Sequence, residues 1–308
     1  MSTCISVVSI MPTATSDCAA AAAPSAPVVR PPVPRRTVIA TVSAHELRSA
    51  LRGRMVPVFS ALFTLLTVGI ALAGLGASGV LVVQGFTRTA VSLLTLSLYL
   101  LPLLGLLLGA ASFSGDDGST ELLLAQPITR ADVLLGRLLG LYTSLLIIAA
   151  AGFGLSGLMV LATTGMRGIG DFLGVAAGAT AVGGVGLGAG VLIGVLARNR
   201  STATGWALGV WFAAVVLYDL AAIALLQLTG TGGPGPVLVA ILAFNPIDGV
   251  RAAALISLGA DVLLGPTGAA LELLFGSGGG TMYVLAALSL WIVLPPVVAA
   301  LVYERRDF

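Results

Sequence analysis

Residue types that usually carry chemistry are scarce in this 308-residue chain. It has one histidine, His45, and two cysteines, Cys4 and Cys18, a set that cannot form a zinc, haem or iron–sulfur site of known type. All 15 basic residues are arginines, whereas a Walker A phosphate loop requires a lysine. We therefore expect no catalytic residue, metal or cofactor in this chain. Any nucleotide must be bound by a separate protein.

A single carboxylate interrupts a long apolar segment near its middle. Asp219 lies within 203–228, where an ionised side chain is costly and normally faces the protein interior or a water-filled cavity. Tyr218 points to another face of the same helix, because successive helical residues are rotated by about 100°. Asp219 either joins helices as a protonated or hydrogen-bonded group, or lines a cavity and senses substrate or relays motion.

The composition around these residues is that of a membrane protein. Hydrophobic residues make up 57% of the chain, charged residues only 9%, and the mean hydropathy is +1.07. Apolar segments of roughly 20 residues, the length that crosses a bilayer, occur near 56–77, 90–111, 138–160, 172–197, 203–228 and 281–303. Because the hydrocarbon core offers no partner for a free backbone amide, we predict an all-α integral membrane protein with six spans.

The arginines are distributed unequally between the two ends of these spans. If the N-terminus is cytoplasmic, only Arg88, Arg167 and Arg251 of the 15 lie outside. Cytoplasmic loops accumulate positive charge, so we expect a multi-pass inner-membrane protein with both termini in the cytoplasm.

The segment before the first span contains a tail and a helix. Residues 1–36 are rich in Ala, Pro, Ser and Thr, which is typical of a disordered tail, and the transmembrane domain is predicted over 37–308. Ser43 and Glu46 have the spacing of a capping box, which predicts a helix that begins near Ser43 and lies in the membrane interface. A cluster of arginines that merely stops translocation is the alternative.

The loop "FSGDDGSTELLLAQPITR" at 113–130 separates the second and third spans. A short helix is predicted over about 119–125, because Pro127 stops it and Thr129 with Asp132 caps the next one. Its leucines form an exposed apolar patch with a charged rim, as in a docking site. The candidate contact residues are Ser119, Thr120, Glu121, Leu122, Leu123, Leu124, Pro127 and Arg130. The alternative is a simple connecting loop.

A longer connecting segment separates the fifth and sixth spans. Asn245 is a plausible N-cap with Pro246 at the first helical position, and Gly259 should end that helix. The apolar pieces are too short to span, so short helices are expected on the outer surface or dipping partway into it. A platform for an extracytoplasmic partner would use Asn245, Pro246, Asp248, Arg251 and Asp261. The alternative is a solvated face with an Asp248–Arg251 pair.

Glycines spaced four apart are frequent within the predicted spans. Gly105 and Gly109 are one such pair, and "GGVGLGAGVLIG" at 183–194 superficially resembles a dinucleotide fingerprint. Inside a span and without a preceding strand, this run instead favours close helix packing.

Taken together, these motifs resemble the ABC-2-type transporter permeases. The residues that carry the likeness are "GSTELLL", "QPITR" and "LLGR", with "HELRSALRGR" before the first span and "YERRDF" at the end, so it covers nearly all of 40–308. The resemblance implies a type V exporter-like permease with an N-terminal interfacial helix and outer short helices. It also implies a dimer of this chain, and a pair of cytoplasmic ATPases that bind ATP and magnesium and receive the 119–125 helix.

A narrower likeness concerns "LYDL" at 217–220, "FNPIDGVR" and "LGADVLLGPTGA". These segments resemble the permeases of nitrous oxide reductase maturation systems, which implies a periplasmic partner that assembles a copper–sulfur site. The alternatives are an ABC-2 exporter of lipid, drug or polysaccharide, and an ion-driven carrier, which would need more intramembrane charge. No nucleic-acid partner is expected.

Overall fold

Long apolar helices dominate the computed structural model, which describes residues 34–77, 82–114, 129–166, 168–228, 235–259 and 266–305. Six of them are long and apolar enough to cross a membrane, and we number these spans in chain order: Met55–Gly74, Phe86–Phe113, Arg130–Ala162, Ile169–Leu196, Arg200–Leu225 and Met282–Glu304. No strand occurs in the described ranges. The predicted all-α fold with six spans is confirmed.

The helices are bounded as follows. In chain order they are α1 (Arg35–Arg52), α2 (Met55–Ala77), α3 (Val82–Phe113), α4 (Arg130–Thr164), α5 (Ile169–Leu196), α6 (Arg200–Phe212), α7 (Tyr218–Leu228), α8 (Gly235–Phe244), α9 (Pro246–Ser257) and α10 (Pro266–Glu304). A π-helical turn, Ala213–Leu217, joins α6 to α7 within the fifth span.

The predicted start of the first helix is wrong. Helix α1 begins at Arg35, inside the predicted tail and well before Ser43, so the Ser43–Glu46 pair lies in the helix interior. Glu46 turns toward other helices instead of capping its own. It accepts a hydrogen bond from Ser112 Oγ at 2.6 Å and pairs with Arg137 at 3.4 Å.

Helix α4 extends beyond the membrane and supports α1. Its 35 residues span about 52 Å at about 1.5 Å per residue, against a hydrocarbon core of about 30 Å. Thr129 is its N-cap, as predicted, and accepts a hydrogen bond from the Asp132 amide at 3.3 Å. Gly140 lets α1 approach closely, because a Cβ there would lie 2.6 Å from the Ser43 carbonyl oxygen.

The second and fourth spans form the tightest helix pair in the bundle. A Cβ at Gly186 would lie 2.5 Å from the Pro102 carbonyl oxygen, and one at Gly194 would lie 2.8 Å from that of Ala110. Gly109 faces the fourth span in the same way. The prediction that the 183–194 glycines form a packing face is therefore confirmed.

The fifth span, by contrast, is largely uncovered. None of its most apolar 18-residue window is buried, and Trp206 is 64% exposed. A Cβ added at Gly205 or Gly209 would meet open space. This face is available to lipid or to another protein.

Candidate functional site

Two short helices form a hairpin between the fifth and sixth spans. Helices α8 and α9 meet at Asn245, whose side-chain oxygen accepts a hydrogen bond from the Ile247 amide at 3.1 Å. Pro246 occupies the first helical position, and Gly259 follows the helix with a φ of 62°. The predicted cap, first turn and end of this helix are confirmed.

The tip of this hairpin reaches the middle of the bundle. Asn245 is 3% exposed, and its amide nitrogen donates to the Ala214 carbonyl at 2.9 Å. The Trp291 indole donates to the Ala243 carbonyl at 2.9 Å. Ala214 and Trp291 lie near the middle of the fifth and sixth spans. The hairpin therefore inserts between the spans, and its polar tip residues do not lie on the outer surface.

The π-helical turn explains how a polar tip is accommodated at this depth. The Tyr218 amide bonds to the Ala213 carbonyl, five residues back, and not to the Ala214 carbonyl that an α-helix would use. The Ala214 oxygen is thus left for Asn245. An unpaired backbone carbonyl in hydrocarbon is costly, so the turn and the amide side chain satisfy each other.

Arg251 connects three separate elements beside this tip. Its guanidinium lies 3.2 Å from Asp248 on the same helix and 3.7 Å from Asp219 on α7. It also donates to the Tyr99 hydroxyl at 3.0 Å and lies over that ring, 5.5 Å from its centroid. We call Tyr99, Asp219, Asp248 and Arg251 the arginine cluster.

The arginine cluster contains one arginine and two aspartates, which differ in how far they are buried. The side chains of Asp248 and Arg251 are 15% and 24% exposed, and that of Asp219 is 37% exposed. Both carboxylates face the Arg251 guanidinium, and the Asn245 amide nitrogen also donates to Asp248 Oδ2 at 2.8 Å. One cation therefore holds two carboxylates that compete for it.

The arginine cluster bears on two predictions from the sequence, the Asp248–Arg251 pair and the role of Asp219. The predicted Asp248–Arg251 pair is present, and Asp219 joins it from a different helix. Of the two predicted positions for the short helices, on the outer surface or dipping partway into it, the structure has the second, because the hairpin folds into the bundle. The use of Asn245, Pro246, Asp248 and Arg251 as a platform for a partner stays a prediction. Tyr99 was missed, since a tyrosine near the middle of an apolar span gives no sign of its partner.

Other predicted site residues lie outside the described part of the chain. These are Asp261 and, in the loop between the second and third spans, Ser119, Thr120, Glu121, Leu122, Leu123, Leu124 and Pro127. Arg130 is described, and its Nη1 donates to the Glu304 carbonyl at 3.4 Å. That bond ties the start of the third span to the end of the sixth.

A second polar cluster lies at the opposite end of the spans. Glu46 of α1 pairs with Arg137 of α4, and both side chains are 13% exposed. Arg137 also lies over the Phe113 ring, 5.3 Å from its centroid. Asp132 binds Arg35 at 2.5 Å. These contacts fix α1 to the ends of the second and third spans.

Metal-site candidates are absent from the described ranges, where no three His, Cys, Asp or Glu side chains form a group that could hold an ion. The predicted lack of a cofactor stays a prediction.

Comparison with known proteins identifies the family. The model of the ABC-2 family transporter protein matches residues 40–308. The chain belongs to the ABC-2 family of transporter permeases. It is similar to two curated proteins named "Probable ABC transporter permease protein NosY". The one from Pseudomonas aeruginosa is 34% identical over 220 residues, which are 68% of this chain and 79% of that protein. The one from Stutzerimonas stutzeri is 34% identical over 242 residues, or 72% and 87% respectively.

Family membership makes this ABC-2 chain the membrane subunit of an ABC transporter. In this family the permease is generally non-catalytic, dimerises, and works with an ATPase partner. The arginine cluster and the contacts of α1 are therefore features of the membrane subunit of an ABC transporter.

Proposed function

We propose that this permease couples ATP hydrolysis by a separate cytoplasmic ATPase pair to movement on the periplasmic side of the inner membrane. The observation that carries the proposal is the arginine cluster. Through Arg251 it connects the inserted hairpin to the second and fifth spans, so that tilting of a span is transmitted to the outer segment.

The force from the ATPase pair acts at the cytoplasmic end of the spans, away from the arginine cluster. The 119–125 segment, proposed as the coupling helix, follows the second span and precedes the third. These spans carry Ser112 and Arg137, which bind α1 through Glu46. A pull on the segment therefore acts on both spans and on α1 together.

Orientation and assembly follow from the arginine distribution and from the uncovered fifth span. Both termini lie in the cytoplasm, where most of the arginines are found. Two copies of the chain associate, with Gly205 and Gly209 providing a surface on which backbones can approach closely.

The narrower proposal concerns the process served. The likeness of "LYDL" and "FNPIDGVR" to maturation permeases, together with the two NosY relatives, supports a role in assembling the copper–sulfur site of nitrous oxide reductase. A periplasmic maturation protein would receive either a sulfur species or force alone. The alternative, export of a lipid, drug or polysaccharide, shares the same spans.

The coupling proposal is tested by Leu123→Asp in the C-terminally tagged full chain. A charge within the apolar patch should abolish copurification of the ATPase in mild detergent, while the variant still inserts in the membrane. Ser201→Asp is the matched control, because Ser201 is exposed in the first turn of α6, at the predicted cytoplasmic end of the fifth span. Retention of the ATPase by Leu123→Asp would contradict the proposal.

The process is tested separately by deletion of the chain from its native cell. Loss of nitrous oxide reduction, restored by the wild-type chain, is expected from the maturation role. Unchanged nitrous oxide reduction would favour the exporter alternative. Copurification of a periplasmic copper-maturation protein would support the maturation role directly.

A further inference from the structure

A cavity of about 670 Å³ lies between α1 and the ends of four spans. Its walls include residues of α1, the start of the first span, the end of the second, and the starts of the third and fifth. A volume of this size is typical of a small-molecule site, for which the usual range is about 300–1,000 Å³.

The polar side of the cavity is cationic. Arg54, Arg137 and Arg200 line it with His45, against one carboxylate, Glu46. Glu46 is occupied by Arg137 and Ser112. Arg54 and Arg200 are exposed and have no ion pair with any described residue, so their charges are available to a ligand. An anion with several oxygens suits two guanidinium groups.

The other side of the cavity is apolar. Met55 and Ala111 line it as partly exposed residues, and Val56, Leu108 and Leu141 line it as almost fully buried ones. Met55 lies at the start of a span and Ala111 near the end of one, which is the depth at which headgroups meet acyl chains. A soluble anion would leave the exposed parts of Met55 and Ala111 in contact with water.

We propose that this cavity binds an anionic phospholipid, with the phosphate between Arg54 and Arg200 and the first acyl carbons against Met55 and Ala111. Basic pockets between membrane helices are suited to such headgroups. Bound there, the lipid joins α1 to the first and fifth spans, in addition to the Glu46–Arg137 pair. The site does not depend on which solute or partner the transporter serves.

The test measures lipid binding to the delipidated full chain by native mass spectrometry. Dioleoyl phosphatidylglycerol is the probe, dioleoyl phosphatidylcholine the neutral comparison, and inorganic phosphate the soluble competitor. A charge-assisted hydrogen bond from a guanidinium to a phosphate contributes about a tenfold gain in affinity. The R54A/R200A double variant should therefore bind phosphatidylglycerol about 100-fold more weakly.

The matched control is R52A/R198A, which removes two exposed arginines from neighbouring positions that do not line the cavity. It should bind as the wild type does. Equal losses in both double variants would overturn the proposal, since only diffuse surface charge would then be at work. Displacement of the lipid by phosphate would assign the cavity to a soluble anion instead.

A second pair of variants tests the cavity without changing charge. Ser49→Trp fills the space from the α1 side and should reduce phosphatidylglycerol binding, whereas Ala44→Trp, on an exposed part of α1 outside the cavity, should not. Undiminished binding to Ser49→Trp would contradict the proposed position of the lipid.

Discussion

Replacing Arg251 by Met tests the arginine cluster most directly. Methionine keeps an unbranched apolar stem and removes the guanidinium, which leaves Asp248 and Asp219 without their shared cation. The same change removes the hydrogen bond to the Tyr99 hydroxyl at 3.0 Å. The spans themselves are untouched, so the variant should still insert.

The expected loss of stability depends on how far the ion pair is buried. Breaking a fully buried ion pair costs about 3–5 kcal/mol, and an exposed pair is worth about 0–1 kcal/mol. The Asp248–Arg251 pair, at 3.2 Å with side chains 15% and 24% exposed, lies between these limits. Asp219 is more than a third exposed, and we assign it little. We expect a loss of about 2 kcal/mol and a fall in Tm of about 5 °C.

The assay is thermal unfolding in mild detergent at neutral pH, with the R251M/D248N double variant beside the single one. The neutral amide introduced by D248N cannot carry the stranded charge, so the double variant should recover at least half of the loss. An equal deficit in the single and double variants would refute the electrostatic reasoning.

Three further predictions concern packing and assembly. Gly186→Val should abolish stable folding, because the valine side chain would overlap the second span at Pro102. Gly174→Val should be tolerated, because a side chain at Gly174 would meet open space, and the yield of detergent-stable protein distinguishes the two variants. Glu46→Gln should destabilise the attachment of α1 by about 1–2 kcal/mol and raise its amide hydrogen exchange, since a partly buried charge pair is lost. Gly205→Leu should convert a dimer to a monomer by light scattering without lowering yield, and a persistent dimer would rule out this face as the interface.

The features that depend on residues close together along the chain could be predicted from the sequence. Apolar runs of span length must be helical in hydrocarbon, so six spans could be predicted from composition. The caps at Thr129 and Asn245 depend on side chains only two or three residues from their partners. The packing role of the 183–194 glycines follows from having no side chain where backbones meet.

The errors arose where a local pattern had a stronger distant partner. Glu46 has the spacing of a capping residue, but Arg137 and Ser112 bind its carboxylate from two other helices. For the hairpin, whose halves are too short to span, the sequence left open whether it lies on the outer surface or dips partway into it. It can enter because the π-helical turn leaves one carbonyl, that of Ala214, for Asn245 at the tip. Hydrophobic periodicity in the sequence does not indicate either contact.

The arrangement of contacts argues that Arg251 does more than hold helices together. The glycine contacts pack the second span, which carries Tyr99, closely against the fourth. The first half of the fifth span is attached to the same pair, because Ala203 and Ala207 are fully buried and the Trp211 indole donates to the Tyr99 carbonyl at 2.9 Å. Asp219 lies in the second half, beyond the π-helical turn. Arg251 contacts both Tyr99 and Asp219 from the inserted hairpin. Any shift of this second half relative to the second span must therefore stretch the 3.7 Å contact to Asp219 or draw the hairpin with it. A group used only for adhesion would be expected within the closely packed pair, whereas Arg251 joins that pair to the part of the fifth span that follows the π-helical turn.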